Sequence, residues 1–418
     1  MYSNNQATPF KVIIIGGGIS GLTLANALKN KKIAFEVFER DSDSNCRGQG
    51  WSITLHTGLD SLHQCIPAHR FENFGHENCV NHEANESGLK VRFIDGRSGK
   101  DGMLFYLKEA YRVKRVRFRK WLLKDVEEHV HWSKKMVRYE EHDDGVKVFF
   151  EDGTCAEGDL LIAADGSMSP IAHQLLKSKF DELTNLLPLN CYGACRWITE
   201  EEWNRIFISP KQHATINGTI PDQTVDGVVN MVYTLNKIDR SQPATPYEIA
   251  WFISRWDRNG LFEFPDGTNN AKIMSMVKSW AATCFPGSPV HQQFVLDTPD
   301  DTPITGVKIR ERKPDYDLLV NASHRVVLVG DAAHPMSMFR GEGANHAIID
   351  VAQLAEQIGA VVAGTKSLDK AVEDYYKEMV PRGQKAVSES HVAAEMVHTQ
   401  PEGLADLYKS MMARFSKK

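Results

Sequence analysis

No stretch of the 418-residue chain approaches the roughly 18–20 consecutive apolar residues that a membrane helix needs. The opening MYSNNQATPF has neither a charged leader nor an apolar run, so no secretory signal is expected. The closing FSKK is not a peroxisomal tripeptide. A cytoplasmic protein is the expectation. Positive charge is also in short supply: 49 Lys and Arg against 54 Asp and Glu give a formal net charge of −5, no footprint for DNA or RNA. The local basic run RVKRVRFRK, Arg112 to Lys120, reads more simply as a solvated helix face. Seven cysteines, an odd number without a repeating spacing, argue against a disulfide framework. Cys191 and Cys195 have no second ligand pair beside them, so buried strand thiols account for them better than a metal does. The 16 histidines never fall into an HExxH or zinc-finger spacing. There is no Cys-x-x-Cys pair, internal repeat or low-complexity segment.

What is present is an ordinary globular profile, with 42% apolar and 25% charged residues. The length exceeds one simple core, so two domains are expected. The chain opens with an apolar run, Val12 to Ile15, that reads as a buried parallel strand. A glycine-rich turn follows, then a helix carrying Leu22, Leu24 and Leu28, then a second strand from Ile33 to Phe38, one βαβ unit. Residues 111–130 read as helical, and KVFFEDGT with GDLLIAADG as a hairpin and a strand ending at Asp165. From about Leu189 to Ser254 apolar and polar residues alternate in NCYGACRWI, VVNMVYTL and YEIAWFIS, the pattern of a largely antiparallel sheet. A helix at about 270–283 closes this section. The parallel pattern then returns in HRVVLVGD, followed by a helix from about Glu342 to Val362 and a helical C-terminus. The expected fold is α/β: a discontinuous Rossmann-like domain (1–180 and 300–418) with a mostly antiparallel domain (181–299) inserted.

Gly16-x-Gly18-x-x-Gly21 stands between strand and helix. The first glycine permits the tight turn, the second lets backbone approach a pyrophosphate, and the third lets helix and strand pack closely. The helix start, with Ser20 inside it, offers free N–H groups to phosphate. Glu39 ends the second strand, 18 residues beyond Gly21, where an acid can accept from a ribose hydroxyl. A second glycine-rich turn, GDAAHPMSMFRGEGANHA from Gly330 to Ala347, has the same strand-before, helix-after setting. No second GxGxxG follows a strand elsewhere, so a nicotinamide nucleotide is expected to bind transiently rather than in a domain of its own.

Several stretches together resemble the single-component flavoprotein aromatic hydroxylases, the family of para-hydroxybenzoate hydroxylase. RVRFRKWLL from Arg115 is similar to the helix start whose arginine reaches the flavin. Asp165-Gly166 after DLLIAA is similar to the motif that contacts both FAD and the pyridine nucleotide. Gly330-Asp331 is similar to the motif whose aspartate holds the ribityl chain. CRGQGWSITLH, Cys46 to His56, looks like a segment of tetracycline-inactivating members, and MFRGEGANHA like a variant of fungal secondary-metabolite members. The resemblance implies tightly bound, non-covalent FAD held by Gly16, Gly18, Ser20, Gly21, Glu39, Arg40, Arg47, Arg115, Asp165, Asp331, Gly341, Gly343, Ala344 and Asn345. Asp331 would accept from ribityl hydroxyls, and the helix begun at Gly341–Gly343 would point its positive end at the pyrimidine edge of the flavin, stabilising the reduced, negatively charged ring. Two departures stand out: Ala172 occupies a position often held by arginine, and Met338 one often held by a proline against the flavin. Arg47 and Met338 are the flavin-proximal residues, and no catalytic base is identified. His334 is read as structural.

The implied reaction is NAD(P)H reduction of the flavin, capture of O₂ as a C4a-hydroperoxide and hydroxylation of a phenolic or polyketide-type aromatic. The chemistry belongs to the cofactor, so no nucleophile or paired carboxylate needs to appear. Two alternatives stand: epoxidation or oxidative rearrangement of an alkaloid or terpenoid, and a non-catalytic FAD-containing binder. On the inserted sheet Tyr192, Arg196, His213, Met231 and Tyr233, with Phe339 from the second turn, are the substrate candidates. Alternation with period 2 does not tell which face is inward. A monomer or homodimer is expected.

Overall fold

The computed structural model describes residues 9–46, 51–83, 88–96, 98–207, 214–221, 228–257, 267–285, 287 and 289–399. Strand β1 (Lys11–Ile15), helix α1 (Ile19–Asn30) and strand β2 (Ala34–Phe38) open it. Then come β3 (Ser52–Leu55), α2 (Leu59–Cys65), α3 (Phe74–Asn78), β4 (Leu89–Asp95), β5 (Asp101–Leu107), β6 (Tyr111–Lys114) and α4 (Arg115–Leu123). Strands β7 (Val130–His131), β8 (Met136–His142), β9 (Gly145–Phe150), β10 (Cys155–Gly158) and β11 (Leu160–Ala163) follow, with α5 (Pro170–Leu176) and α6 (Ser178–Leu183). The long middle section holds β12 (Thr184–Ile198), α7 (Glu200–Ile206), β13 (Ala214–Pro221), β14 (Val228–Ile238), β15 (Tyr247–Trp256), α8 (Asn270–Cys284), α9 (Pro289–Leu296) and β16 (Thr305–Arg312). Helix α10 (Tyr316–Ala322), β17 (Val326–Leu328), α11 (Gly343–Val362) and α12 (Leu368–Thr399) complete it.

Five parallel strands lie in the order β17-β11-β1-β2-β7. β1, β11 and β17 are almost wholly buried, as expected of a parallel strand covered on both faces, and helices α1, α11 and α12 share their apolar core. One expectation is corrected here. The stretch 111–130 is not one helix: Tyr111–Lys114 pairs antiparallel with Ser52–Leu55, and the helix runs only from Arg115 to Leu123. Val113 is wholly buried while its neighbours are half-exposed, and pairing of this short alternating segment overrode its helical reading.

The second layer is a seven-stranded sheet in the order β16-β12-β15-β14-β13-β4-β5. It draws on three stretches of sequence, 89–107, 184–256 and 305–312. Its two faces differ in kind. One carries Tyr192, Met231, Tyr233, Ile249, Trp251 and Ile253 into a core shared with α7, α8 and α9. The other meets the first layer: Phe252 lies against Trp51 with ring centroids 3.9 Å apart, Lys114 pairs with Glu248 at 3.1 Å, and Ser254 bonds His398 of α12 at 2.8 Å. No helix among the described residues is long and apolar enough to cross a membrane.

Candidate functional site

Three turns leave the carboxyl ends of the adjacent parallel strands β1, β11 and β17. Ligands of open α/β sheets bind at these ends. In the first turn Gly16 has φ +110°, and a Cβ there would stand 2.3 Å from the Ala164 carbonyl oxygen. A Cβ at Gly21 would stand 2.0 Å from the Gly16 carbonyl oxygen. Both glycines are therefore demanded by close packing. Nothing lies within 4 Å of a Cβ at Gly18, so the middle glycine leaves the helix start open. No side chain caps α1 and no acid occupies its first turn, so its free N–H groups and positive end remain available to an anion.

These residues border a cleft of about 390 Å³ whose lining includes Gly18, Glu39, Arg40, Arg115, Arg119 and Asp165. The Glu39 carboxylate accepts from the Gly17 N–H at 2.7 Å and the Asp41 N–H at 3.0 Å. Arg119, which the sequence reading passed over, donates to the Gly17 carbonyl at 2.7 Å and sets its guanidinium 3.4 Å from Glu39. The signal was available: Arg119 stands four residues after Arg115, on the same face of α4. At the second turn both Asp165 oxygens are buried without completing a hydrogen bond. Burial pushes the Asp165 pKa up to about 6, with Ser169, nearby backbone amides and the charge of Arg40 pulling the other way. Such an orphaned carboxylate at a cleft wall matches a hydroxyl-bearing ligand. Ala172, the departure noted above, is fully buried in the core and gives its N–H to Ser169, the cap of α5.

The third turn is anchored from below. Asp350 of α11, wholly buried, accepts from the Gly330 N–H at 2.7 Å, from His334 Nε2 at 2.7 Å and from Arg382 at 2.8 Å. His334 is likewise fully buried. This network leaves the Asp331 side chain exposed between protein on its other sides. Crowding raises its pKa, while His334, Arg115 and Arg312 lower it; access to solvent weakens the first effect. The first and third turns touch, since a Cβ on Gly330 would meet Ser20 Oγ at 2.7 Å. Beyond lies the start of α11, where a Cβ at Gly341 would have nothing within 4 Å. The Asn345 side chain is committed elsewhere: it accepts from the N–H groups of His56 and Gly58 and donates to the Thr54 carbonyl. Only the backbone of Ala344 and Asn345 is left for a ligand. The set fits a long dinucleotide: open amides for a diphosphate at α1, a carboxylate for a polyol at Asp331, and a second open helix start for a ring.

The FAD binding domain family matches residues 9–253 and 319–390. The chain belongs to that family. Its FAD-binding relatives include the FAD-dependent monooxygenase thnD of Trichoderma harzianum, 29% identical over 403 residues that cover 90% of this chain and 91% of that one. Among solved structures, the fold is similar to Klebsiella pneumoniae HpxO complexed with FAD and uric acid (TM-score 0.70, 22% identity, 98% of this chain and 93% of that chain). It is also similar to the tetracycline destructase Tet(51) (TM-score 0.65, 16% identity, 98% and 96%). The resemblance to para-hydroxybenzoate hydroxylase-like flavoproteins therefore holds across the chain.

The substrate candidates fare differently. Arg47 and His213 lie outside the described residues. Tyr192, Arg196, Met231 and Tyr233 point away from the flavin-binding layer, a correction to the expected lining. Tyr233 stacks on His291 and packs on Phe294, Tyr192 leans on Trp280, Met231 is in the same core, and Arg196 bonds the Phe294 carbonyl and Glu202. The reason is physical. Of two alternating faces, the more apolar one buries more surface against helices, which leaves the smaller and more polar set to face a ligand. Register places Cys191, Gly193, Asn230, Val232, Phe252 and Ser254 on that other face. Phe339 is half-buried edge-on to His398, and Met338 is exposed at the same turn.

Proposed function

We propose that the protein is an FAD-dependent monooxygenase that uses NAD(P)H and O₂ to hydroxylate a neutral phenolic or polyketide-type aromatic molecule in secondary metabolism. The stoichiometry is one aromatic C–H, one O₂, one NAD(P)H and one proton giving one phenolic C–OH, one water and NAD(P)⁺. The observation that carries this reading is the convergence of three turns at the carboxyl ends of β1, β11 and β17 beneath a sheet face whose central residues, Cys191, Gly193, Asn230, Val232, Phe252 and Ser254, are uncharged. When bound, FAD supplies hydride acceptance and oxygen activation. The chain's part is to hold the diphosphate at Gly16–Gly21, the ribose at Glu39 and Arg40, the ribityl chain at Asp331, and the ring between Arg115, Met338 and the start of α11. Residues 1–180 and 300–418 are proposed as the FAD domain and 181–299 as the substrate domain, with strands β4, β5 and β16 completing the sheet of the latter.

Phe252 and Trp51 meet where the two layers face each other, and the proposed substrate would pack against them. Phe252→Ala is expected to raise substrate KM by roughly tenfold, the equivalent of about 1.5 kcal/mol of lost aromatic burial. Tyr233→Ala, on the opposite face, is expected to lower stability by about 3–5 kcal/mol with KM of the surviving fold unchanged. Steady-state kinetics and urea melts of both variants separate the two faces. A screen of aromatic metabolites for stimulated NADPH oxidation tests the reading itself. A hit whose product gains one oxygen supports it, whereas oxidation that no aromatic stimulates counts against the aromatic substrate class.

A further inference from the structure

Helix α11 begins at Gly343 with Glu342 in the capping position. A carboxylate there can accept from the free N–H groups of its own helix, or stand beside them, and either way offsets the positive end. Glu342 makes no cap bond; Arg340 donates to its Oε1 at 2.8 Å, and His346 Nε2 stands 3.5 Å from its Oε2. Arg340 is held from the far side by Glu389 of α12. The pair is almost closed to solvent, with 3% of the Arg340 side chain and 10% of that of Glu342 exposed. A helix end carries the equivalent of roughly +0.5 charge. One unpaired carboxylate on it would reverse the local sign; the Arg340 guanidinium, shared with Glu389 on its far side, offsets that charge and holds it away from the helix N–H groups.

We propose that Arg340 is a positioning residue for the cofactor: it draws Glu342 off the start of α11 and so keeps that helix end open and positive toward the bound flavin. This rests on the flavin placement proposed above. Without Arg340, Glu342 either caps the helix or stands beside it as a lone negative charge. Both outcomes oppose a ring that gains negative charge on reduction.

The experiment compares purified holoenzymes carrying Arg340→Met, Glu342→Gln, both together, and Asp331→Ala. FAD affinity is read from flavin fluorescence and the midpoint potential from anaerobic dye titration. Arg340→Met is expected to weaken FAD binding roughly tenfold and to lower the potential, and adding Glu342→Gln is expected to restore both. Unchanged affinity and potential in Arg340→Met, or no restoration in the double variant, overturns the proposal. Should Arg340→Met fail to fold, Glu342→Gln decides alone: a raised potential supports the proposal, and an unchanged or lowered one overturns it. If Asp331→Ala keeps its FAD in full, the flavin placement has failed. If Asp331→Ala loses FAD while Arg340→Met does not, only the role of Arg340 has failed.

Discussion

Asp331→Ala is expected to strip most of the FAD from the purified protein, with FAD affinity lower by about 10- to 100-fold. The magnitude follows from losing hydrogen bonds to a charged acceptor, about 1.5–3 kcal/mol. The fold should survive. Its side chain is exposed beside a turn that is anchored by other groups, the Gly330 N–H on Asp350 and the Asp350–His334 pair. Thermal melts without added FAD should therefore match the parent chain, while flavin absorbance per mole of protein falls. Loss of FAD together with loss of fold would instead assign Asp331 a structural role.

The second large effect belongs to Asp350. It is a wholly buried carboxylate that ties Gly330, His334 and Arg382 together, and removing one partner of a buried ion pair costs about 3–5 kcal/mol. Asp350→Asn should lower stability by that amount and loosen FAD as well, because Gly330 precedes Asp331. The parent chain should show the pair in its pH profile. Burial alone would raise the Asp350 pKa, but the charge and hydrogen bond of His334 and the charge of Arg382 outweigh it and hold it well below the usual carboxylate range. Its contribution is present above the unfolded value of about 3.9 and is lost as pH falls below it. Burial would lower the His334 pKa, but Asp350 lifts it above its ordinary value. That contribution is full below about pH 6.5 and is lost as pH rises through the raised value. The pair is thus strongest from about pH 4 to 6.5. Urea midpoints should hold between about pH 4 and 6.5 and fall as pH rises beyond that window in the parent, and be flatter in Asp350→Asn.

Glycine spacing made the first turn legible, because the packing that demands Gly16 and Gly21 is local to one strand–turn–helix unit. The turn at Gly330 was legible for the same reason. Its anchor was not: Asp350 stands in an apolar helical stripe, IIDVAQLA, and a lone acid there was a signal left unread. Its partners lie 16 and 32 residues away in sequence. The inserted sheet was legible as alternating strands, but the direction of each face depends on which helices cover it. Tyr192, Met231 and Tyr233 stand on the inserted sheet where a ligand-facing role was expected, and their large apolar side chains pack instead in the core with α8 and α9. The helix expected over 111–130 failed where Val113 found a strand partner in Ile53.

The most direct measurement is product mass after turnover with NADPH under isotopically labelled O₂. The account predicts yellow protein that incorporates one labelled oxygen atom into an aromatic product for each NADPH consumed in coupled turnover. Unlabelled product, or colourless protein that cannot be reconstituted with FAD, would contradict it.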